Sequence, residues 1–589
     1  VDCGCQPLIF DVVIIGGGPA GATAATLLKK YLPDLAVAVF ERERFPRDHV
    51  GESLLPLVNE FLAEMEVWDQ VEAANFPIKI GATYRWGATP TLWNFEFLPN
   101  AEFDSTPRPS RLEGQRTSTA FQVDRSVFDQ ILLERAKQVG AEVFEQTRIV
   151  RVDRHGDRVL GCVARSIDGL EFGVSARYYL DCSGTAGILR RTMDVKVESP
   201  TLLRNLAIWD YWRNSEWAVE IGVGGTRIQV LSLSYGWLWF IPLGPDRTSV
   251  GLVVPAQYLK QSGLRPEDLY LSAVRSEPRI AQLLTNAQRE NRMETTNDWS
   301  FIAERLAGEN WLLAGDSCGF ADPILSAGVT LAQASGREAA YVILESDKGE
   351  IDSCWLKQSF EKTHRKRILQ HIRFADYWYS ANSQFGDLVS YCSEIAKDSG
   401  LDLSPDQAFR WLGTGGFAND DIGQPSVGAY SITAVKRITQ LFSGKDATWK
   451  LNQLNKIDLN LRQASIKPHP VYSDGRIYQV KALIRGPKLL PLIGPFKLVY
   501  DTLLKKSDLR DIAIALRATV PQDPAIRESA YFGCLMALEA MLEEGWAEGS
   551  IVHDRPIGLG LPMSRESATI RFDTSPTKSS SPHTHETIR

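Results

Sequence analysis

Long apolar runs are missing from this chain. No stretch stays apolar for the about 20 residues that a membrane helix needs, which argues against a helical membrane protein. An excess of positive charge is missing too. With 65 Lys and Arg against 72 Asp and Glu, the formal net charge is −7, and a nucleic-acid binder would need a basic surface. Cysteine is scarce, with eight in 589 residues, and its scatter suits reduced thiols rather than a disulfide framework. Cys3 and Cys5 form a CGC pair, but no second Cys/His cluster completes a zinc site, so no metal is expected. The opening VDCGCQPLIF has neither the basic start nor the apolar core of a secretory signal, and a cytoplasmic location is the expectation. No internal repeat is apparent. What remains is an ordinary globular composition, 44% hydrophobic and 23% charged, on a length that suits two or three domains.

Against that plain background, DVVIIGGGPAG (11–21) stands out. Asp11 to Ile15 read as a buried strand, Gly16, Gly18 and Gly21 as GxGxxG, and Ala22 to Lys30 as a helix. The first glycine permits a tight turn and the second a close approach of backbone to a pyrophosphate. The third lets helix and strand pack closely, so that the positive end of the helix faces the phosphates. A second strand, Ala36 to Phe40, ends in Glu41, about 20 residues past the last glycine, where a carboxylate would accept bonds from ribose hydroxyls. A dinucleotide cofactor follows, with Ala20 in the same turn.

Further along, FPRDHVGESLLP (45–56) reads as a loop entering a helix. Residues 80–120 and 200–255 alternate like strands and suggest one sheet carrying a substrate wall. DRSVFDQILLERAKQVGA reads as a helix closed by Gly140. Trp311 to Leu344 read strand, Gly–Asp turn, loop and helix, a pattern whose carboxylate, Asp316, can hold ribityl hydroxyls of a flavin. The expected division is an arm (1–9), a Rossmann-like α/β core interleaved with the substrate sheet (10–345), a largely helical C-terminal region (346–563) and a disordered tail (564–589).

GGGPAG, FPRDHVGESLLP, Trp237-Leu-Trp239-Phe-Ile241-Pro242 and GDSCGFADPILSAGV together resemble the flavin-dependent halogenases, most closely the phenol- and pyrrole-type branch. The resemblance is strong over about residues 10–345. It implies that a separate flavin reductase supplies reduced FAD. Oxygen and chloride or bromide then yield hypohalous acid, which halogenates an electron-rich aromatic ring. Members of this branch often act on substrates tethered to an acyl or peptidyl carrier protein. Lys79 occupies the position of the family's catalytic lysine, and no other lysine falls between Gly51 and Arg111. Its ammonium can donate a hydrogen bond to the oxidant; a surface lysine at a strand start is the alternative.

By the same resemblance, Arg47, Ser53, Arg125, Gly328 and Val329 join the FAD-binding set. Backbone N–H groups of Ala327 and Gly328 hold the halide, a role that suits a helix start. Trp237 and Trp239, two apart and so on one side of a strand, form a wall with Pro323 that keeps flavin and substrate apart. Asp298, in NDWSF, matches a segment that some related enzymes link covalently to the flavin; an ordinary loop aspartate is the alternative. Indole-type members carry a glutamate where this chain has Leu325, which moves the substrate towards a self-activated phenol or pyrrole. A geranylgeranyl-reductase-like enzyme, an aromatic hydroxylase and a non-catalytic flavin scaffold are the competing readings. The basic stretch with Lys488, Lys497, Lys505, Lys506 and Arg510 is either a docking face for an acidic carrier protein or a solvated amphipathic helix.

Overall fold

The structure, a computed structural model, describes residues 7–86, 92–96, 119–220, 224–297, 300–380, 426–427, 430–431, 449–486, 488–561 and 570–572. Asp298 and most of the expected tail lie outside the described residues.

Two sheets organise the first 345 residues. The first sheet runs β6 (Glu142–Phe144), β2 (Val37–Phe40), β1 (Leu8–Ile15), β9 (Glu171–Asp181), β8 (Arg158–Ser166) and β7 (Thr147–His155), and β18 (Trp311–Leu313) pairs with β9. β6, β2, β1, β9 and β18 are parallel. Central strands of this kind are covered on both faces, which is why Val12 to Ile15 are all buried and read as one apolar run. β1 begins at Leu8, so the expected arm gives up its last two residues to the sheet.

Helix α1 (Pro19–Tyr31) follows β1 with Pro19 in its first turn, where no amide hydrogen bond is lost. Its small residues Ala20, Ala22, Ala24 and Ala25 are buried. They let α3 (Gly328–Lys348) cross at backbone distance: a Cβ on Gly336 would lie 2.2 Å from the Ala20 carbonyl oxygen. Between them in sequence, α2 (Arg125–Gln138) is capped by Asp124, whose side chain accepts the Ser126 N–H.

The second sheet has the order β15 (Gln288–Arg289), β11 (Asn205–Arg213), β14 (Arg247–Pro255), β13 (Gly236–Pro242), β12 (Gly225–Leu233), β3 (Ile78–Arg85) and β4 (Trp93–Glu96). β5 (Ala120–Phe121) pairs with β3, and β16 (Glu294–Asn297) with β11. Its two faces differ. Leu238 and Phe240 join Ile208, Leu231, Val250 and Leu252 in a core with Leu269, Tyr270 and Ile280. The other face carries Trp209, Trp237 and Trp239, as the two-residue alternation of β13 requires.

The third region departs from expectation. A 28-residue helix, α4 (Ser353–Ser380), is followed by strands as well as helices. Lys456–Leu459 pairs with Ala547–Ser550, and Ser465–Ser473, Arg476–Arg485 and Lys488–Pro491 form an antiparallel meander. Helices Gly494–Leu503, Leu509–Thr519 and Pro524–Glu543 pack beside them around a separate core that includes Trp449, Phe496, Leu516 and Trp546. The largely helical reading missed the Asp474–Gly475 turn, where both residues have positive φ (50° and 71°), the hairpin-forming geometry for Asp-Gly. Within the expected tail, Ile570–Phe572 adds an edge strand to β4.

Candidate active site

At the end of β1 the three motif glycines meet three different surroundings. A Cβ on Gly16 would sit 2.3 Å from the Cys182 carbonyl oxygen, and one on Gly21 only 2.0 Å from that of Gly16. No residue with a side chain fits either place. Gly18 is different: its added Cβ would meet nothing nearer than Arg47 Nη2 at 3.5 Å. The backbone there is open beside a guanidinium, as an incoming phosphate requires. Gly18 is also the N-cap of α1 and offers no side chain, so the first amides of the helix are left for a ligand. Glu41 is buried; its Oε2 accepts the Gly17 N–H at 2.7 Å and its Oε1 the Glu43 N–H at 2.8 Å. The carboxylate is thereby fixed at the tip of β2, and Ala20 lies against the turn that carries Asp316.

Arg47 stacks over Phe45 at 4.7 Å and approaches Asp129 at 3.5 Å. Buried Arg125 holds the same Asp129 through two bonds of 2.7 and 2.8 Å, and donates to the Val50 carbonyl at 2.9 Å. Burial pushes the Asp316 carboxyl up to about 6, against the opposing charge of Arg125. Arg47 Nη1, Ser53 Oγ and both amide atoms of Gln122 in this region, and Thr330 Oγ1 in the first turn of α3, are buried with no hydrogen-bond partner among the described residues. Unsatisfied buried polar atoms are costly, so their gathering here fits an extended polar ligand laid along the ends of the strands. Gln122 and Thr330 escaped the sequence reading because an isolated Gln or Thr carries no motif. Among the described residues no group of three His, Cys, Asp or Glu is placed to hold a metal.

The loop 50–55 ties this end to Lys79. Leu54 receives the Lys79 ammonium on its carbonyl at 3.0 Å, and Ser53 bridges to Gln122. Lys79 lies on β3, 2% exposed, and burial lowers its pKa from 10.5 to about 7. It is therefore no surface lysine. Next to Ser53 in the loop 50–55, the wholly buried Glu52 accepts the Tyr211 hydroxyl at 3.1 Å, and burial raises its carboxyl above the ordinary range.

On the second sheet the tryptophans form a continuous aromatic row. Trp209 and Trp239 are 6.5 Å apart, Trp239 and Trp237 6.0 Å, and Trp237 and Trp86 6.3 Å. Gly251, the partner of Trp239 on β14, makes room for the ring: its added Cβ would lie 2.1 Å from Trp239. Pro323 opens a short turn, Pro323–Leu325, that leads through Ser326 to Ala327, the N-cap of α3. Gly328 and Val329 begin that helix, whose N-cap side chain makes no bond to its amides. Trp237, Asp322 and Tyr379 are joined by hydrogen bonds, an arrangement the sequence reading did not find. Asp322 lay inside the quoted motif without a role, and Tyr379 lies in no motif at all.

The basic stretch is not a uniform positive face. Lys488 is 3.4 Å from Glu544, Lys497 pairs with Asp501, and Lys506 is 4.0 Å from Asp511. It spans a strand, a helix, a turn and the start of another helix.

Comparison with known proteins agrees with this geometry. The sequence profile of the tryptophan halogenase family matches residues 11–107 and 98–388. The chain is 32% identical over 387 residues to the tryptophan 2-halogenase of Chondromyces crocatus, covering 64% of this chain and 69% of that protein. It is also 32% identical over 395 residues to the 1H-pyrrole-2-carbonyl-[peptidyl-carrier protein] chlorinase of Pseudomonas fluorescens, covering 64% and 86%. Among solved structures, the myxobacterial chondrochloren halogenase CndH, described as FAD-dependent, superposes with a TM-score of 0.58 at 28% identity over 67% of this chain and 92% of its own. The flavin-dependent halogenase CmlS shares the fold over 94% of this chain and 98% of its own, with a TM-score of 0.69 at 24% identity. The chain belongs to the flavin-dependent halogenases, enzymes that use FAD and a halide.

Proposed function

We propose that this enzyme halogenates a phenol or pyrrole ring borne by a carrier protein, with Lys79 as its catalytic residue. The observation that carries the reading is the buried Lys79 amine, poised near pH 7 and bonded to the loop that also holds Arg125. Reduced FAD, with oxygen and chloride or bromide, supplies the electrophilic halogen as hypohalous acid.

The chain's own groups have separable tasks. Gly16, Gly18, Ala20 and Gly21 set the turn, and Glu41, Arg47, Ser53, Arg125 and Asp316 bind and orient the cofactor. Gly328 and Val329 meet it at the start of α3, where the amides of Ala327 and Gly328 take the halide. Trp237, Trp239 and Pro323 wall off the substrate. The Lys79 ammonium hydrogen-bonds the oxidant and makes its halogen more electrophilic; its free base can instead attack the halogen of the hypohalous acid, forming an N–halogen bond as the O–halogen bond breaks and water leaves. A pKa near neutrality makes both forms available.

Leu325 offers no carboxylate to accept a ring proton, which supports a ring activated by its own oxygen or nitrogen. The chlorinase and a 1H-pyrrole-2-carbonyl-[peptidyl-carrier protein] brominase of Pseudoalteromonas luteoviolacea, 29% identical, support the tethered substrate. The tryptophan 2-halogenase makes free tryptophan the competing substrate. A separate reductase supplies the reduced flavin, the bond to FAD is non-covalent or passes through Asp298, and the enzyme works in the cytoplasm, where its five described cysteines stay free thiols. A core to about residue 345 and a C-terminal region from 346 to 563 complete the reading.

The test is product mass spectrometry with FAD, a flavin reductase, NADH, oxygen and bromide. The substrates are carrier-tethered and free tyrosine, pyrrole-2-carboxylate and free tryptophan. Halogenated tethered phenol or pyrrole that disappears in Lys79→Ala is the expected result. Halogenation of free tryptophan alone overturns the substrate assignment, and product surviving in Lys79→Ala overturns the role of the lysine. Lys505→Glu with Arg510→Glu is expected to slow the tethered substrate several-fold and leave the free one unchanged.

A further inference from the structure

The C-terminal end of α4 reaches the turn in front of Ala327 and Gly328. There Tyr379 is fully buried, and its hydroxyl accepts the Trp237 indole N–H at 2.7 Å. The same hydroxyl donates to Asp322, lying 3.0 Å from Oδ1 and 3.2 Å from Oδ2. Asp322, itself 3% exposed, also accepts the Ile324 N–H at 3.0 Å and the Asn205 side-chain amide at 3.3 Å. It thereby caps the Pro323–Leu325 turn.

That turn ends in an uncommon conformation. Ser326 has φ +57°, and its N–H closes on the Pro323 carbonyl at 2.9 Å. A residue with a Cβ stays in this region only where its neighbours fix it. Ala327 follows directly as the N-cap of α3, so the directions of the Ala327 and Gly328 amides are set by how the preceding turn is held. The side chain that holds it, Asp322, is in turn held by Tyr379. Residues 237, 322 and 379, from three distant parts of the chain, thus converge on one loop.

We infer that Tyr379 and Asp322 are positioning residues for the halide, fixing the loop so that its amides converge on one anion. The inference rests on the proposal that Ala327 and Gly328 hold the halide. Without the Tyr379 hydroxyl a buried carboxylate loses a donor, the turn loosens and the amides diverge. The cofactor-binding end, held by Arg47, Arg125 and Glu41, makes no described bond to Tyr379 and stays as it is.

The experiment titrates bromide into the FAD-loaded full-length protein and reads the perturbation of the bound flavin's absorbance and fluorescence. It compares the parent with Tyr379→Phe and Trp237→Phe. Tyr379→Phe keeps the ring beside Trp86, 5.8 Å away, and removes only the hydroxyl. The expected result is a bromide Kd and a bromide KM raised about tenfold, with FAD affinity and kcat at saturating bromide within about threefold. Trp237→Phe, which keeps the Tyr379–Asp322 bond, is expected to shift bromide affinity less. Equal bromide affinity in Tyr379→Phe and parent overturns the inference, as does a parallel fall of FAD and bromide affinity. If the parent flavin binds but never responds to bromide, or Gly328→Val responds as the parent does, the halide-loop proposal fails first and the positioning role falls with it.

Discussion

At the scale of single residues, Lys79 carries the sharpest expectation. Its ammonium population halves near pH 7 and falls about tenfold for each further pH unit. If the ammonium is the form that works, single-turnover halogenation slows with the same slope above pH 7, which rapid-quench product analysis checks. The effect on stability has the opposite sense. With a folded pKa below the unfolded value of 10.5, this group opposes folding fully below pH 7, and the opposition fades between about pH 7 and 10.5. Gly251 makes a second test. Gly251→Ala places a methyl group 2.1 Å from the Trp239 ring, so the ring must tilt. A shifted tryptophan emission and a changed substrate KM, with FAD binding retained, are expected. The position of Lys79 was legible in the sequence because it stood alone in a long interval between recognisable motifs. The pKa was not, since it depends on how deeply β3 is covered, and that depth is set by β5, β12 and the loop 50–55, which come from three parts of the chain.

Among elements, the crossing of α1 and α3 decides whether the cofactor end can form. The contact is backbone on backbone, with the missing Cβ of Gly336 facing the Ala20 carbonyl. Gly336→Val is expected to drive the helices apart, weaken FAD retention at least tenfold and lower the melting temperature by several degrees. Gel filtration with the flavin-to-protein absorbance ratio reads the first effect and calorimetry the second. The strand–turn–helix of the first 40 residues was plain in the sequence because three glycines, a proline and a buried apolar run all agree on one local structure. The meander of residues 465–491 was opaque for the opposite reason. SIKPHPVYS holds two prolines and few large apolar residues, and only the register against Arg476–Arg485 makes it a strand.

For the whole molecule, residues 472–477 tie the described C-terminal strands to α1 and α3 by polar contacts and by Tyr472 and Ile477, which join the same apolar core as β1, α1 and α3. Arg476 donates to the fully buried Glu345 of α3 at 2.7 Å, and the Ile477 N–H approaches the same oxygen at 3.4 Å. Arg337 reaches the Tyr472 carbonyl at 3.1 Å, and Gly475 lies against the ring of Tyr31. Arg476→Ala strips a buried carboxylate of its shortest hydrogen bond and should lower stability. The loss should be visible as an earlier unfolding transition and as faster proteolysis after residue 449, with little change in FAD binding.

The depth of Lys79 has a further consequence, in chemical labelling. At neutral pH an ordinary lysine is a free amine in about one molecule in three thousand, whereas Lys79 is one in about half. A small activated ester that reaches this buried side chain would therefore meet an amine that is free in about half of the molecules, and acylation of the Lys79 peptide would report which molecules gain access to it.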